Sequence, residues 1–213
     1  MAKTKPFDLH TREYDDWFEK HHFAYLSELE ALRKVCPNGG RGVEIGVGSG
    51  KFAAELKIGE GCDPSEAMRK RAIERGIHAI PGVAEKLPYD SASFDFALMV
   101  TTICFVDNPL KSLREIHRIL KPEGVFIVGF VDRNSHLGKH YLTIQQKSRF
   151  YREATFFSAE EIFNLLDNSG FYMQKTRQTI FSSLEMITSI QKSKPGYNEG
   201  SFVVVKAMRT SDK

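Results

Sequence analysis

The sequence predicts an α/β protein built on a mostly parallel sheet with helices on both faces. Three observations carry this. Strand-like and helix-like segments alternate from residue 42 to residue 131. Two of the strands, Phe94–Thr101 and Val125–Val131, are nearly continuous in apolar residues, as strands buried on both faces must be. The first strand runs into a glycine loop that opens a helix, the arrangement in which open α/β sheets bind ligands at their carboxyl edge.

The elements follow in order. Residues 1–38 read as a helical cap, with Tyr14, Trp17, Phe18, Phe23, Tyr25, Leu26, Leu29 and Leu32 recurring at helical intervals among charges. Pro37-Asn38-Gly39-Gly40 stops that pattern, and residues 39–213 form the main domain. Strands are expected at 42–47, 58–62 and 78–83. The helix after the second strand is expected to be capped by Asp63, with Pro64 at its first position and Gly76 closing it. Pro109–Leu120 is an amphipathic helix, with Leu110, Leu113, Ile116 and Leu120 on one stripe. Residues 132–157 break the alternation with Lys, Arg, His and aromatics and no strong period, and read as a lid-like insertion. Ser158 and Glu161 form a capping box for the next helix, and two last strands at 171–181 and 201–208 complete a seven-stranded sheet whose last strand is expected to be antiparallel.

Composition narrows the class. The chain has 213 residues, enough for a full core without disulfides or metals. Thirty basic residues against 27 acidic ones give a net charge of +3, scattered along the chain, which argues against a nucleic-acid partner. Cys36, Cys62 and Cys104 lie far apart with no CxxC pair, which fits a reducing compartment. The first ten residues lack an apolar signal core, and the longest apolar runs are strand-length, so a cytoplasmic protein without membrane insertion is expected.

The sharpest feature is Glu44-Ile45-Gly46-Val47-Gly48-Ser49-Gly50. Glycines here let the backbone turn tightly and let a ligand approach the main chain. A phosphate loop requires GxxxxGK followed by Ser or Thr, but Ile45 holds the first glycine position and Phe52 follows Lys51. A dinucleotide loop requires GxGxxG, but counting from Gly46 the sixth position is Lys51, which leaves a nucleotide-dependent oxidoreductase as a distant rival. The E/D-x-G-x-G-x-G pattern matches at every defined position.

On that loop the chain resembles the Rossmann-like S-adenosylmethionine-dependent methyltransferases, and among them the small-molecule enzymes of ubiquinone and menaquinone biosynthesis. Four further stretches follow the family's order: Asp63-Pro64-Ser65-Glu66-Ala67-Met68, Gly82-Val83-Ala84-Glu85-Lys86-Leu87-Pro88, Phe94-Asp95, and Leu120-Lys121-Pro122-Glu123-Gly124. The resemblance implies methyl transfer from S-adenosylmethionine to a small acceptor, leaving S-adenosylhomocysteine. It implies that Asp63 accepts both ribose hydroxyls, a role compatible with capping a helix, and that Gly46, Gly48 and Gly50 pack along the methionine portion. Glu44 is read either as a partner for the cofactor's ammonium or as a hydrogen-bond partner for the loop itself. Pro64 and Met68 offer apolar surface to the adenine or belong to the core. Val83 departs from the family, which has Asp there, leaving the Ala84 main chain and Glu85 as the remaining adenine contacts. Thr101 and Thr102 line the cofactor from the end of the fourth strand, and the segment holding Tyr14 and Trp17 closes over it.

Methyl transfer asks mainly for proximity and in-line orientation. A base is needed when the acceptor is a hydroxyl or a protonated amine. Candidates over the strand ends are His136, His140 and Tyr141. His136 and His140 also have the spacing of paired helical metal ligands, but Leu137 stands where HExxH has Glu and no third ligand is apparent, so no metal is expected. Arg149–Phe157 mixes cations and aromatics and reads as a lid for an anionic or aromatic acceptor, as a surface that stacks on bases, or as a helix packing its Phe residues inward. The rival readings are a cofactor-binding protein without catalysis and an RNA or protein methyltransferase.

Overall fold

A computed structural model describes residues 4–210. The strands are β1 (Gly42–Ile45), β2 (Glu60–Asp63), β3 (His78–Pro81), β4 (Phe94–Val100), β5 (Leu120–Val131), β6 (Phe171–Thr179), β7 (Lys194–Pro195) and β8 (Phe202–Arg209). They form one sheet in the order β3-β2-β1-β4-β5-β8-β6-β7. The first five strands pair in parallel, and β8 runs antiparallel between β5 and β6. The sheet is therefore the expected Rossmann-like seven strands plus β7, a two-residue strand at the edge.

Alternation along β4 builds two core layers. Phe96, Leu98 and Val100 face one side, where they meet α2 (Thr11–Lys20), α3 (His22–Arg33), α4 (Lys51–Glu55) and α5 (Glu66–Glu74). Phe94, Ala97 and Met99 face the other, against α6 (Pro109–Ile119) and α8 (Ala159–Asp167). Each large side chain fully buried in these layers contributes about 2 kcal/mol of transfer free energy.

The helical cap is three helices, with α1 (Lys5–Leu9) preceding α2 and α3. His10 and His21 leave helical geometry, at φ −128° and −111°, and turn the chain at each junction. In the stretch without a clear period lies α7 (His136–Ile144), capped by Ser135, whose Oγ accepts from Gly138 N. Its short apolar face, Leu137 and Tyr141, is too sparse to show as a repeat.

Two local expectations are corrected. Asp63 does not cap α5; Ser65 does, its Oγ accepting from Met68 N at 3.2 Å. Pro64 disfavours helical geometry at the residue before it, and Asp63 spends its carboxylate on other main-chain amides. The Lys121–Gly124 turn does not separate helix from strand. β5 begins at Leu120, pairs with Phe94, and resumes at Val125 opposite Phe96, with the turn bulging out at Glu123 (φ +61°). Ser158 and Glu161 form the capping box of α8.

Among the described residues no helix is long and apolar enough to cross a membrane.

Candidate functional site

A cavity of about 220 Å³ lies over the carboxyl ends of β1, β2 and β4. A second, of about 20 Å³, adjoins it behind Tyr141 and Tyr151. The glycine loop forms part of the floor of the large one. Gly46 N and Val47 N both donate to Cys62 O, at 2.8 and 3.0 Å, which ties the loop to β2. Gly46 has φ +70°, and a Cβ there would lie 2.3 Å from Thr102 Cγ2. No other residue fits that position. Gly48 faces the cavity, with the Tyr14 hydroxyl 3.4 Å from where its Cβ would be. Gly50 does not line the cavity; its φ of +81° and its closeness to Ala72 Cα let α4 and α5 pack together.

Asp63 ends β2 at the cavity wall. Its Oδ1 accepts from Ser65 N at 2.8 Å and its Oδ2 from Gly48 N at 3.0 Å. One carboxylate thus braces both the glycine loop and the start of α5. Burial outweighs these bonds and pushes its carboxyl up to about 6. Pro64, Ser65 and Met68 continue the wall, then Gly82, Val83, Ala84 and Glu85 from the loop after β3. Glu85 Oε1 accepts from Asp107 N (2.7 Å) and Asn108 N (3.1 Å), which fixes that loop to the N-terminus of α6. Thr101 and Thr102 close the floor at the end of β4. Thr101 sits at φ +49°, a strained conformation for a β-branched residue, and such strain concentrates at functional sites.

Glu44 lies outside the lining. It is 2 % exposed, and the amide of Ala53 is its hydrogen-bond donor. Its Oε2 has no partner among the described residues, and burial holds its carboxyl well above the usual range.

The cap is latched to this floor by charge. Asp15 of α2 accepts from Ser49 Oγ at 2.6 Å, from Arg71 Nη1 at 3.1 Å and from Arg75 Nη2 at 2.8 Å. Arg75 also donates to Ser49 O. On α1, Asp8 accepts from Ser65 Oγ at 2.5 Å. These contacts set Phe7, Tyr14 and Trp17 into the cavity wall.

The far half of the cavity is aromatic. Phe7 packs edge-on to Phe105 at 5.1 Å, Tyr14 edge-on to Phe18 at 5.3 Å, and Tyr141 stacks on Tyr151 at 4.9 Å. Tyr141 and Tyr151 come from the 132–157 segment, and burial raises both of their hydroxyls above the usual range. His136 and His140 lie on the exposed side of α7, away from this lining. The Arg149 guanidinium also lies outside it; it pairs with Glu13 at 2.6 Å on the surface.

Glu28 of α3 has no motif around it, yet it lines the aromatic half at 5 % exposure. Tyr25, one turn before, anchors α3 by donating to Lys51 O at 2.9 Å, and Ser27 Oγ accepts from Gln191 N at 2.8 Å. The available signal was an acid at helical spacing from Tyr25 and Leu32, inside the apolar stripe rather than opposite it.

Comparison with known proteins gives a consistent family. Residues 43–128 match the model of a methyltransferase domain. A crystal structure from Thermotoga maritima, described as a "SAM-dependent methyltransferase, possible histamine N-methyltransferase", is 49 % identical, covers 97 % of this chain and 100 % of its own, and superposes with a TM-score of 0.95. An uncharacterized protein of Methanocaldococcus jannaschii is 44 % identical over 94 % of this chain and 97 % of its own length. The demethylmenaquinone methyltransferase of Staphylococcus epidermidis is 36 % identical over 72 residues, 32 % of this chain and 30 % of that one. The likeness to quinone-pathway enzymes is thus confined to a short stretch.

Proposed function

The chain belongs to the S-adenosylmethionine-dependent methyltransferases, and from that premise we propose that it methylates a small-molecule acceptor by in-line displacement. One observation carries the reading: the glycine loop and Asp63 form one half of a cavity whose other half is closed by aromatic side chains from the N-terminal helices and the 132–157 segment. A concave pocket walled by aromatic side chains suits a small acceptor.

The residues present fit the cofactor. Asp63 keeps acceptor capacity beyond its two main-chain bonds, as a carboxylate must to receive a ribose diol. Gly48 leaves the main chain open to the methionine portion beneath Tyr14. Glu44 lies behind the loop, hydrogen-bonded to the Ala53 amide, and is not part of the lining that would meet the ammonium. Gly46 and Gly50 shape the loop from behind. Pro64, Met68, Val83 and Ala84 form the adenine wall. Val83 offers no acceptor there, and Glu85 holds the loop in place through α6. Thr101 borders the point where the two halves meet. The bound cofactor supplies a methyl group already activated on a sulfonium; the protein's share is to hold the two partners in line and exclude water.

The test uses S-adenosylmethionine with a deuterated methyl group, the purified protein, and a cell extract split into small-molecule and polymer fractions. Label appearing by mass spectrometry in the small-molecule fraction is the expected result. Label in RNA or protein alone overturns the reading in favour of a polymer substrate.

A further inference from the structure

We propose that Glu28 is the acceptor-binding residue, that the acceptor is a protonated amine, and that the reaction is N-methylation. This deepens the methyl-transfer reading above and rests on it.

The cavity wall is the first support. Its charged residues are Glu13, Glu28, Asp63, Glu85 and Asp107, with no Lys, Arg or His among the described residues that line it. No cationic side chain lines the wall to pair with an anionic acceptor, and of its acids Glu13 is already paired with Arg149 on the surface. The cations nearest the cap are engaged elsewhere: Arg71 and Arg75 with Asp15, Lys51 with Glu19, Arg33 with Glu55. Arg149, the residue that favoured an anionic acceptor in the sequence, is on the surface with Glu13.

Glu28 itself is the second support. Asp63 and Glu85 accept main-chain hydrogen bonds, but Glu28 accepts none and has no ion pair among the described residues. A carboxyl enclosed to this degree without a partner is costly to ionise, and such groups are kept where a ligand completes them. Tyr14 of α2, Tyr141 of α7 and Tyr151 line the same cavity as Glu28. Aromatic faces beside a carboxylate make a suitable seat for an ammonium, through cation–π attraction and charge pairing together.

The third support is chemical. A protonated amine has no lone pair and must lose a proton before it can attack. Glu28, pushed up to about 8 by burial, can take the bound ammonium's proton within the pair and leave a neutral amine beside a neutral acid. The nitrogen lone pair then forms the new N–C bond as the S–CH3 bond breaks, and the electron pair of that bond stays on sulfur. The product leaves as a methylated ammonium, and the one proton the amine gave up passes from Glu28 to water. The hydroxyls of Tyr14, Tyr141 and Tyr151 are raised by burial and stay protonated throughout.

Calorimetry on protein saturated with S-adenosylhomocysteine tests this. Butylamine and phenethylamine are compared with phenethyl alcohol and hydrocinnamate, in the wild type and in Glu28→Gln. The proposal expects an amine to bind at least about tenfold more tightly than the alcohol, and the carboxylate not to bind. It expects Glu28→Gln to retain S-adenosylhomocysteine affinity, to lose about tenfold or more in amine affinity, and to melt above the wild type. Equal amine binding by both proteins, preference for the carboxylate, no amine binding by protein that holds S-adenosylhomocysteine, or a variant that melts lower would each overturn it. Failure of S-adenosylhomocysteine itself to bind would strike the methyltransferase reading instead, so the two failures are distinguishable.

Discussion

Asp63 and Glu28 are both carboxylates on the wall of one cavity, yet Asp63 accepts two main-chain hydrogen bonds within 3.0 Å and Glu28 accepts none. Burial raises both, Asp63 to about 6 and Glu28 to about 8. The main-chain amides partly offset burial for Asp63; nothing does so for Glu28. The glycine-loop half is therefore a preorganised polar site that holds its shape without a ligand. The aromatic half has a charge requirement that the protein leaves unmet. A site for a fixed cosubstrate can be built into the backbone, whereas a site for a variable acceptor is carried by side chains on helices packed over it.

The two halves should break differently. The largest effect is expected at the floor: Gly46→Ala places a Cβ 2.3 Å from Thr102 Cγ2 at φ +70°, and should cost about 3 kcal/mol or more of stability, read by denaturant unfolding. Next is Glu28→Gln, with an opposite sign. The carboxyl of Glu28 is raised on folding, so the folded state holds a proton that the unfolded state has released between about pH 4.5 and 8. Wild-type stability then falls as pH rises through that window and levels off above it. The variant lacks this loss, so it should gain on the wild type by a few kcal/mol, on the order of 2–4, between pH 5 and pH 9 in paired unfolding curves. A gap independent of pH would show that Glu28 is paired and would remove the contrast with Asp63.

Asp15→Ala separates the latch from both halves. It removes contacts to Ser49, Arg71 and Arg75, and should cost about 2 kcal/mol and weaken S-adenosylhomocysteine binding about tenfold, because the cap and loop lose their common anchor. The smallest effect is expected at Arg149→Ala. Its pair with Glu13 is about half exposed on both sides, so unfolding curves of the variant should nearly overlay the wild type's, the more so at high salt.

What the sequence reveals follows the same division. The glycine loop was legible because backbone geometry admits only glycine at Gly46, and that constraint is local. Asp63 was legible because it ends a strand beside a proline, although its part in capping was misplaced to it from Ser65. Asp15 and Glu28 were hidden because an acid on a helix reads as a solvated face. Asp15 meets Ser49 at a separation of 34 residues and Arg75 at 60, and no spacing rule reaches that far. Gly50 shows the converse: its place in the motif suggests a ligand contact, and its space is filled by Ala72. The 132–157 segment gave no period because α7 buries two large apolar side chains and leaves His136 and His140 to solvent.

The central claim is that the glycine loop and Asp63 bind S-adenosylmethionine, and calorimetric titration tests it most directly. S-adenosylhomocysteine, NADH and ATP are titrated in turn into the wild type and Asp63→Ala. The account predicts that S-adenosylhomocysteine alone binds the wild type, with micromolar affinity, and that Asp63→Ala weakens it about 100-fold. Binding of NADH in its place, or S-adenosylhomocysteine affinity unchanged in Asp63→Ala, would contradict it.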